Sequence, residues 1–280
     1  MRSADGVTAH AVVWLVVSTA WLACTGKELV SPNDAGDDRF GLVDPDVTVP
    51  LTDASPRLLP HERIILPAMQ VGVVYVGEQD AGGAPPDDST IGWLLASSYW
   101  LQLGEYGISN GAVVGSARVA TSSFFQSGDL DQNNLVDVLV LQARVAQSLH
   151  DDADAGTTST IGIPSAQAYV FFLPDGVNVD LGQRGNYTYQ TCIDAYGYHA
   201  YDGLEPYAVL PPCPEGRSSY AESHELAEMA TDPHPYDGWA SDVDIPANGG
   251  EVADLCTDQA DAGGVTVTWL WSNQVNGCIP

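Results

Sequence analysis

Positive charge is what this chain most lacks. Its 280 residues carry 9 Lys and Arg against 37 Asp and Glu, a formal charge of −28, and Lys27 is its only lysine. Such a surface repels phosphate backbones and anionic lipid headgroups, which argues against nucleic-acid binding and leaves cations as the favoured partners. A solvated acidic coat that aids solubility accounts for most of these carboxylates. Also lacking is a Cys-x-x-Cys pair, so a four-cysteine zinc site has little support. The apolar run near the start, Ala11 to Ala23 (AVVWLVVSTAWLA), falls short of the ~20 residues of a membrane-spanning helix.

That run does have the length of an export signal's core. Its end, Trp21-Leu22-Ala23-Cys24, resembles a lipoprotein signal with Cys24 as the lipid acceptor, although Trp21 stands where a small aliphatic residue is usual. Ordinary cleavage near Ala23, with release of the chain, is the alternative. Five cysteines is an odd number for an exported protein. Lipidating Cys24 leaves Cys192, Cys213, Cys256 and Cys278, an even set suited to an oxidising compartment. Four cysteines allow three pairings. Pairing neighbours, Cys192 with Cys213 and Cys256 with Cys278, closes the shortest loops.

Three regions follow. Residues 1–24 read as a signal peptide and residues 25–60, rich in Pro, Asp and Gly without a sustained period, as a tether. Residues 61–280 read as one globular domain. Asp-Ala-Gly recurs at Asp34, Asp80, Asp154 and Asp261 in polar surroundings, as turn-forming filler. Strands are expected over Arg63 to Gly77, Ala112 to Ala120, Ala168 to Leu173, Tyr207 to Leu210 and Val265 to Trp271. Helices are expected over Ile91 to Tyr106, over Leu135 to Leu149 with Asn133 or Asn134 as cap, and from Ser219 to Asp232-Pro233. This interleaving predicts a single α/β domain, a mixed β-sheet flanked by helices. Asp129 to Asn133 imitates the opening of a calcium loop but lacks its later Gly and Glu, so it reads as a turn.

The helix after Ser219 carries the most chemistry. Ser219 and Glu222 have capping-box spacing, and Pro233 sets the end. His224 and Glu228, four apart, share a face with Glu225 beside them. This resembles the zincin signature, two histidines four apart on zinc with a glutamate that activates water, except that Glu228 replaces the second histidine. Zinc accepts mixed His and Glu ligands; the harder carboxylate leaves manganese or calcium open. For a third ligand the sequence offers Glu251, followed by Asp254, or His234, ten residues after His224; His199 is a more distant choice. No methionine follows Met229, so a metzincin Met-turn is absent. The alternative is that this face of His and Glu points to water.

Seven segments in order carry a broader resemblance: SSYWLQLGEYG (97–107), AYVFFLPDGVNV (168–179), TCIDAYGYH (191–199), YAVLPPC (207–213), SHELAEMATDP (223–233), GGEVADLC (249–256) and WSNQVNGC (271–278). Together they resemble the phosphate-induced, Exordium-like secreted proteins of plants and their bacterial relatives. The resemblance implies an exported protein and no secure enzymatic activity. It maps the family's HExxE and GxE..D.C segments onto His224, Glu225, Glu228, Glu251, Asp254 and Cys256, favouring Glu251 over His234. Relatives often carry a second cysteine before GYH where this chain has Ala195-Tyr196, which makes Cys213 the implied partner of Cys192.

The functional expectation is a cell-envelope protein, held to the membrane only through lipid on Cys24, with a zinc-dependent, peptidase-like hydrolase site. Glu225 is its expected general base, and His224, Glu228 and Glu251 its expected metal ligands. Two other readings are a non-catalytic module that binds wall polysaccharide through Trp239, Trp269 or Trp271, and a protein whose metal is only a structural staple.

Overall fold

The structure is a computed structural model that describes residues 56–62, 64–77, 89–150, 161, 163, 165–184, 187–213, 219–235, 237–241 and 250–280. The signal, Cys24, most of the tether and the Asp-Ala-Gly tripeptides at 34, 80 and 154 lie outside them.

A five-stranded sheet forms the centre, in the order Ala112–Val119, Gln70–Val76, Ala168–Phe172, Pro206–Leu210, Tyr198–Tyr201. The first four strands are parallel, and the edge strand Tyr198–Tyr201 returns antiparallel to Pro206–Leu210. The chain thus has the expected mixed α/β class. Both faces of the sheet are covered, and its inner strands are near-continuous apolar runs. Alternation along Gln70–Val76 divides them: Val71, Val73 and Tyr75 enter one core, Val74 and Val76 the other. Helices Ser89–Ala96 and Ser219–Thr231 pack in the first core. Helix Val138–His150 and a smaller sheet of Leu135–Asp137, Asn178–Arg184 and Tyr187–Gln190 cover the second.

Several expected boundaries move. The strand expected from Arg63 starts at Gln70, and the helix expected over Ile91 to Tyr106 stops at Ala96 before a 3-10 turn Trp100–Tyr106. Leu135–Asp137 is strand, and the helix begins at Val138, where Asp137 Oδ1 accepts the Leu139 N–H at 2.8 Å. The last strand breaks at Trp269 into Thr266–Thr268 and Leu270–Ser272. The stretch Asp129 to Asn133 is a turn: Asp131 Oδ1 accepts the N–H groups of Asn133 and Leu135, and Asp129 pairs with Arg144 at 2.6 Å. Leu58–Pro60, inside the expected tether, instead forms a ribbon with Trp239–Ser241.

Two disulfides close, Cys192–Cys213 and Cys256–Cys278, across sequence separations of 21 and 22. Loops of that length correspond to about 3 kcal/mol each of denatured-chain entropy. One ties the approach to Tyr198–Tyr201 to the exit of Pro206–Leu210; the other ties the turn after Asp254 to the C-terminal strand Gly277–Ile279. No helix among the described residues is long and apolar enough to cross a membrane.

Candidate metal centre

Ser219–Thr231 is the helix on which the centre is built. Ala, Leu, Met and Glu favour helix locally, and Glu222 in the first turn meets the positive end of the dipole. Its start is fixed by the neighbouring ribbon, Ser219 Oγ donating to the Thr266 carbonyl (2.7 Å) and Thr268 N–H to Ser223 Oγ (2.9 Å). It ends at Thr231, before Asp232 and Pro233. Asp232 Oδ1 then accepts the N–H groups of Asp237 (3.1 Å) and Gly238 (2.7 Å), folding the following loop back onto the helix end. Gly238 is required there, because any Cβ would strike the Thr231 carbonyl and the Asp232 backbone.

The helix does not face water. Every residue from Ala221 to Thr231 is buried, with Glu225 1% and Glu228 0% exposed. A solvated face is therefore excluded as the explanation of the His and Glu positions. Elements that are far apart in sequence enclose them. The edge strand Tyr198–Tyr201 brings His199, and the turn after Gly250 brings Glu251 and Asp254. That turn is held by Leu255 N–H on the Glu251 carbonyl (3.3 Å) and by Trp271 N–H on the Val252 carbonyl (2.8 Å).

Six ionisable side chains meet in this way. Nε2 of His224 lies 3.1 Å from Glu228 Oε1 and 3.4 Å from Asp254 Oδ1. The His199 ring spans the other side: its Nδ1 is 3.4 Å from Glu228 Oε2 and 3.5 Å from Glu225 Oε2, its Nε2 3.3 Å from Glu251 Oε1. Both Glu228 oxygens, Glu251 Oε1, Asp254 Oδ2 and His199 Nε2 are buried without a hydrogen bond. Ion pairs closed by a shared proton run at about 2.7–2.9 Å. The His224 Nε2 separations of 3.1 and 3.4 Å are instead close to the ~3.3–3.4 Å edge of a tetrahedron whose corners lie about 2.0–2.1 Å from a zinc ion.

Two groups of three donors have their ligating atoms within 4.8 Å of one another: His199, Glu228 and Glu251, and His224, Glu228 and Asp254. The expected ligands His224, Glu228 and Glu251 are all in the centre, but not in one group. Glu228 belongs to both groups, His224 to one and Glu251 to the other. Glu251 and Asp254 leave one turn toward different imidazoles. His234 stays outside, stacked on Tyr201 with ring centroids 3.7 Å apart and Nδ1 3.9 Å from Asp237. His199 is the residue whose place spacing along the chain does not reveal. Its imidazole stands two residues after Gly197, and only the antiparallel return of the edge strand places it beneath the helix.

Four carboxylates in so little space are costly. Desolvation raises the pKa of Glu228, and the Asp254 charge raises it further. Burial likewise raises Glu251 and Asp254; Glu251 also meets Asp232 in a side-chain hydrogen bond. For His199, burial alone would lower the pKa, but the Glu251 charge and the facing carboxylates of Glu225 and Glu228 win and raise it well above the ordinary imidazole value. Two carboxylates with oxygens under 5 Å apart repel by on the order of 3–4 kcal/mol even at an effective dielectric of about 20. Protons or cations must offset this.

The tryptophans expected to stack on sugars are used inside the fold. Trp271 is 7% exposed, and Trp239 and Trp269 pack against the same core, Trp239 edge-on to Tyr106 with its indole N–H on the Tyr106 carbonyl. No family model, no curated protein and no solved structure matches the chain.

Proposed function

We propose that this is an exported metalloprotein of the cell envelope whose centre carries out metal-assisted hydrolysis of a carbonyl substrate, a peptide or an ester. The observation that carries the metal is Glu228: 0% exposed, both oxygens without a hydrogen bond, each within 3.4 Å of a histidine. His199, His224, Glu228, Glu251 and Asp254 would hold the ion, zinc by the mixed imidazole and carboxylate donors, with manganese as the harder alternative. A cation there supplies Lewis acidity and lowers the pKa of water. Glu225, one position after His224 and beside His199, would be the base that accepts a proton from water and passes it to the leaving group. The acidic surface disfavours phosphate esters as substrates.

Export is supported by the two disulfides and by the signal-like run that ends at Cys24. The Exordium-like resemblance points the same way. A structural ion is the second reading, favoured by the depth of the centre. The test is elemental analysis of the purified protein, followed by a peptide and ester panel with wild type and Glu225→Gln. Bound metal with turnover that falls 10²–10⁴-fold in Glu225→Gln supports the hydrolase. Metal without turnover on any substrate leaves the structural ion; no metal sinks both.

A further inference from the structure

Glu228 divides its carboxylate between two places. Oε1 faces His224, which also faces Asp254; Oε2 faces His199, which reaches on to Glu251. We propose that the centre binds two divalent cations, with Glu228 as the bridge. One cation is held by His199, Glu228 and Glu251, the other by His224, Glu228 and Asp254. The inference rests on the metal reading above and goes beyond it in number and arrangement.

Three observations converge. Each group contains one imidazole, one terminal carboxylate and one oxygen of the shared glutamate, and the two groups have no other residue in common. A single ion taking both histidines would abandon one of the terminal carboxylates to a buried site with an unsatisfied oxygen, Glu251 Oε1 or Asp254 Oδ2. Charge agrees. Glu225, Glu228, Glu251 and Asp254 together carry four negative charges when ionised, which two divalent ions balance. One ion leaves two unbalanced, and protonating the histidines instead removes them as ligands.

A carboxylate bridging through separate oxygens sets two metals about 3.5–4 Å apart, the spacing with which paired ions grip both the attacking and the leaving oxygen of a displacement. Three protein ligands on each cation leave positions for water and for a carbonyl oxygen. With the cation on His199 Nε2, on the Glu251 side of the ring, the Nδ1–H has Glu225 on its own side to receive it, which would fix the ring. Polarising a peptide or ester carbonyl at one ion and activating water at the other is the chemistry that such a pair would supply.

The test is stoichiometry and coupling in the full mature chain. The protein is stripped with a chelator, reloaded with zinc at low micromolar free concentration, desalted and analysed for metal per chain. Two per chain is expected, and Asp254→Ala should retain one. With manganese(II), electron paramagnetic resonance should show a spin-coupled pair in the wild type and an isolated ion in Asp254→Ala. One zinc per chain and an uncoupled manganese signal would overturn the pair while leaving a one-metal hydrolase intact. An Asp254→Ala protein that still binds two would also overturn it. No retained metal would sink this inference and the metalloprotein reading together.

Discussion

Gly197 lies directly against Glu225. A Cβ built on Gly197 would sit 3.2 Å from Glu225 Cγ, 2.8 Å from a Leu210 methyl and 3.0 Å from the Val209 carbonyl oxygen. The glycine therefore lets the His199 strand approach the helix closely enough for imidazole and carboxylates to share one space. Gly197→Ala should cost about 1–3 kcal/mol, because the Val209 backbone cannot yield as a side chain can. It should also weaken metal retention by moving His199 away. Urea unfolding and metal content check this; an unchanged midpoint with full metal content would show that the approach has slack.

Chelation should destabilise the protein. A ligand that binds only the folded state at about 100 times its dissociation constant adds about 2.7 kcal/mol. In a domain of this size that is on the order of 5–10 °C in melting temperature. Differential scanning calorimetry before and after stripping, and again after adding zinc, should show a fall and a recovery of that size. A melting temperature indifferent to chelator would mean that protons, not cations, neutralise the buried carboxylates.

How far the sequence led depends on range along the chain. The helix bearing His224, Glu225 and Glu228 was legible because its spacing is local, and Pro233 marks its end. The parallel strands were legible as apolar runs, Ala168–Phe172 and Pro206–Leu210 within a residue or so. Cys192–Cys213 and Cys256–Cys278 are the neighbour pairing that closes the shortest loops, one of three pairings open to four cysteines. What did not emerge is everything set by topology. Tyr198–Tyr201 is too short to announce itself, and nothing local says that it returns antiparallel and carries His199 under the helix. Nor does spacing reveal that Glu251 and Asp254 serve different histidines, since both readings fit one turn. Ser219–Thr231 also lacks a sharp apolar stripe. That pattern suits a helix surrounded on all sides, yet on a strongly acidic chain it read equally well as a wet face.

His234 and His199 should behave oppositely. His234→Ala removes a ring stacked on Tyr201 outside both donor groups, so metal content should hold and stability should change by about 1 kcal/mol or less. His199→Ala removes one of the donors that could hold a cation and leaves Glu225, Glu228 and Glu251 without their imidazole. Metal affinity should drop by at least tenfold. Titration of stripped protein with zinc against a competing chromophoric chelator measures both, and equal losses in the two variants would refute the assignment of His234 to the periphery.

The metal-free chain should gain stability on mild acidification, contrary to the usual behaviour of ion-paired carboxylates. Burial raises the pKa values of Glu228, Glu251 and Asp254 above their unfolded values near 4, so between those limits the folded state holds more protons than the unfolded one. Stability then falls as pH rises. His199, raised well above its unfolded value of about 6.5, has the same sign: its contribution is complete below that value and is lost as pH climbs through the folded one. Metal binding runs the other way, because ligands must shed their protons to coordinate. Melting curves from about pH 5 to 8 should therefore diverge, the chelated protein weakening toward pH 8 while the increment from zinc grows. Glu228→Gln removes one of the buried acids and should flatten the metal-free slope, which separates its origin from the general repulsion of the acidic surface. A metal-free protein that is most stable at pH 8 would mean that these carboxylates are already ionised and paired in the fold.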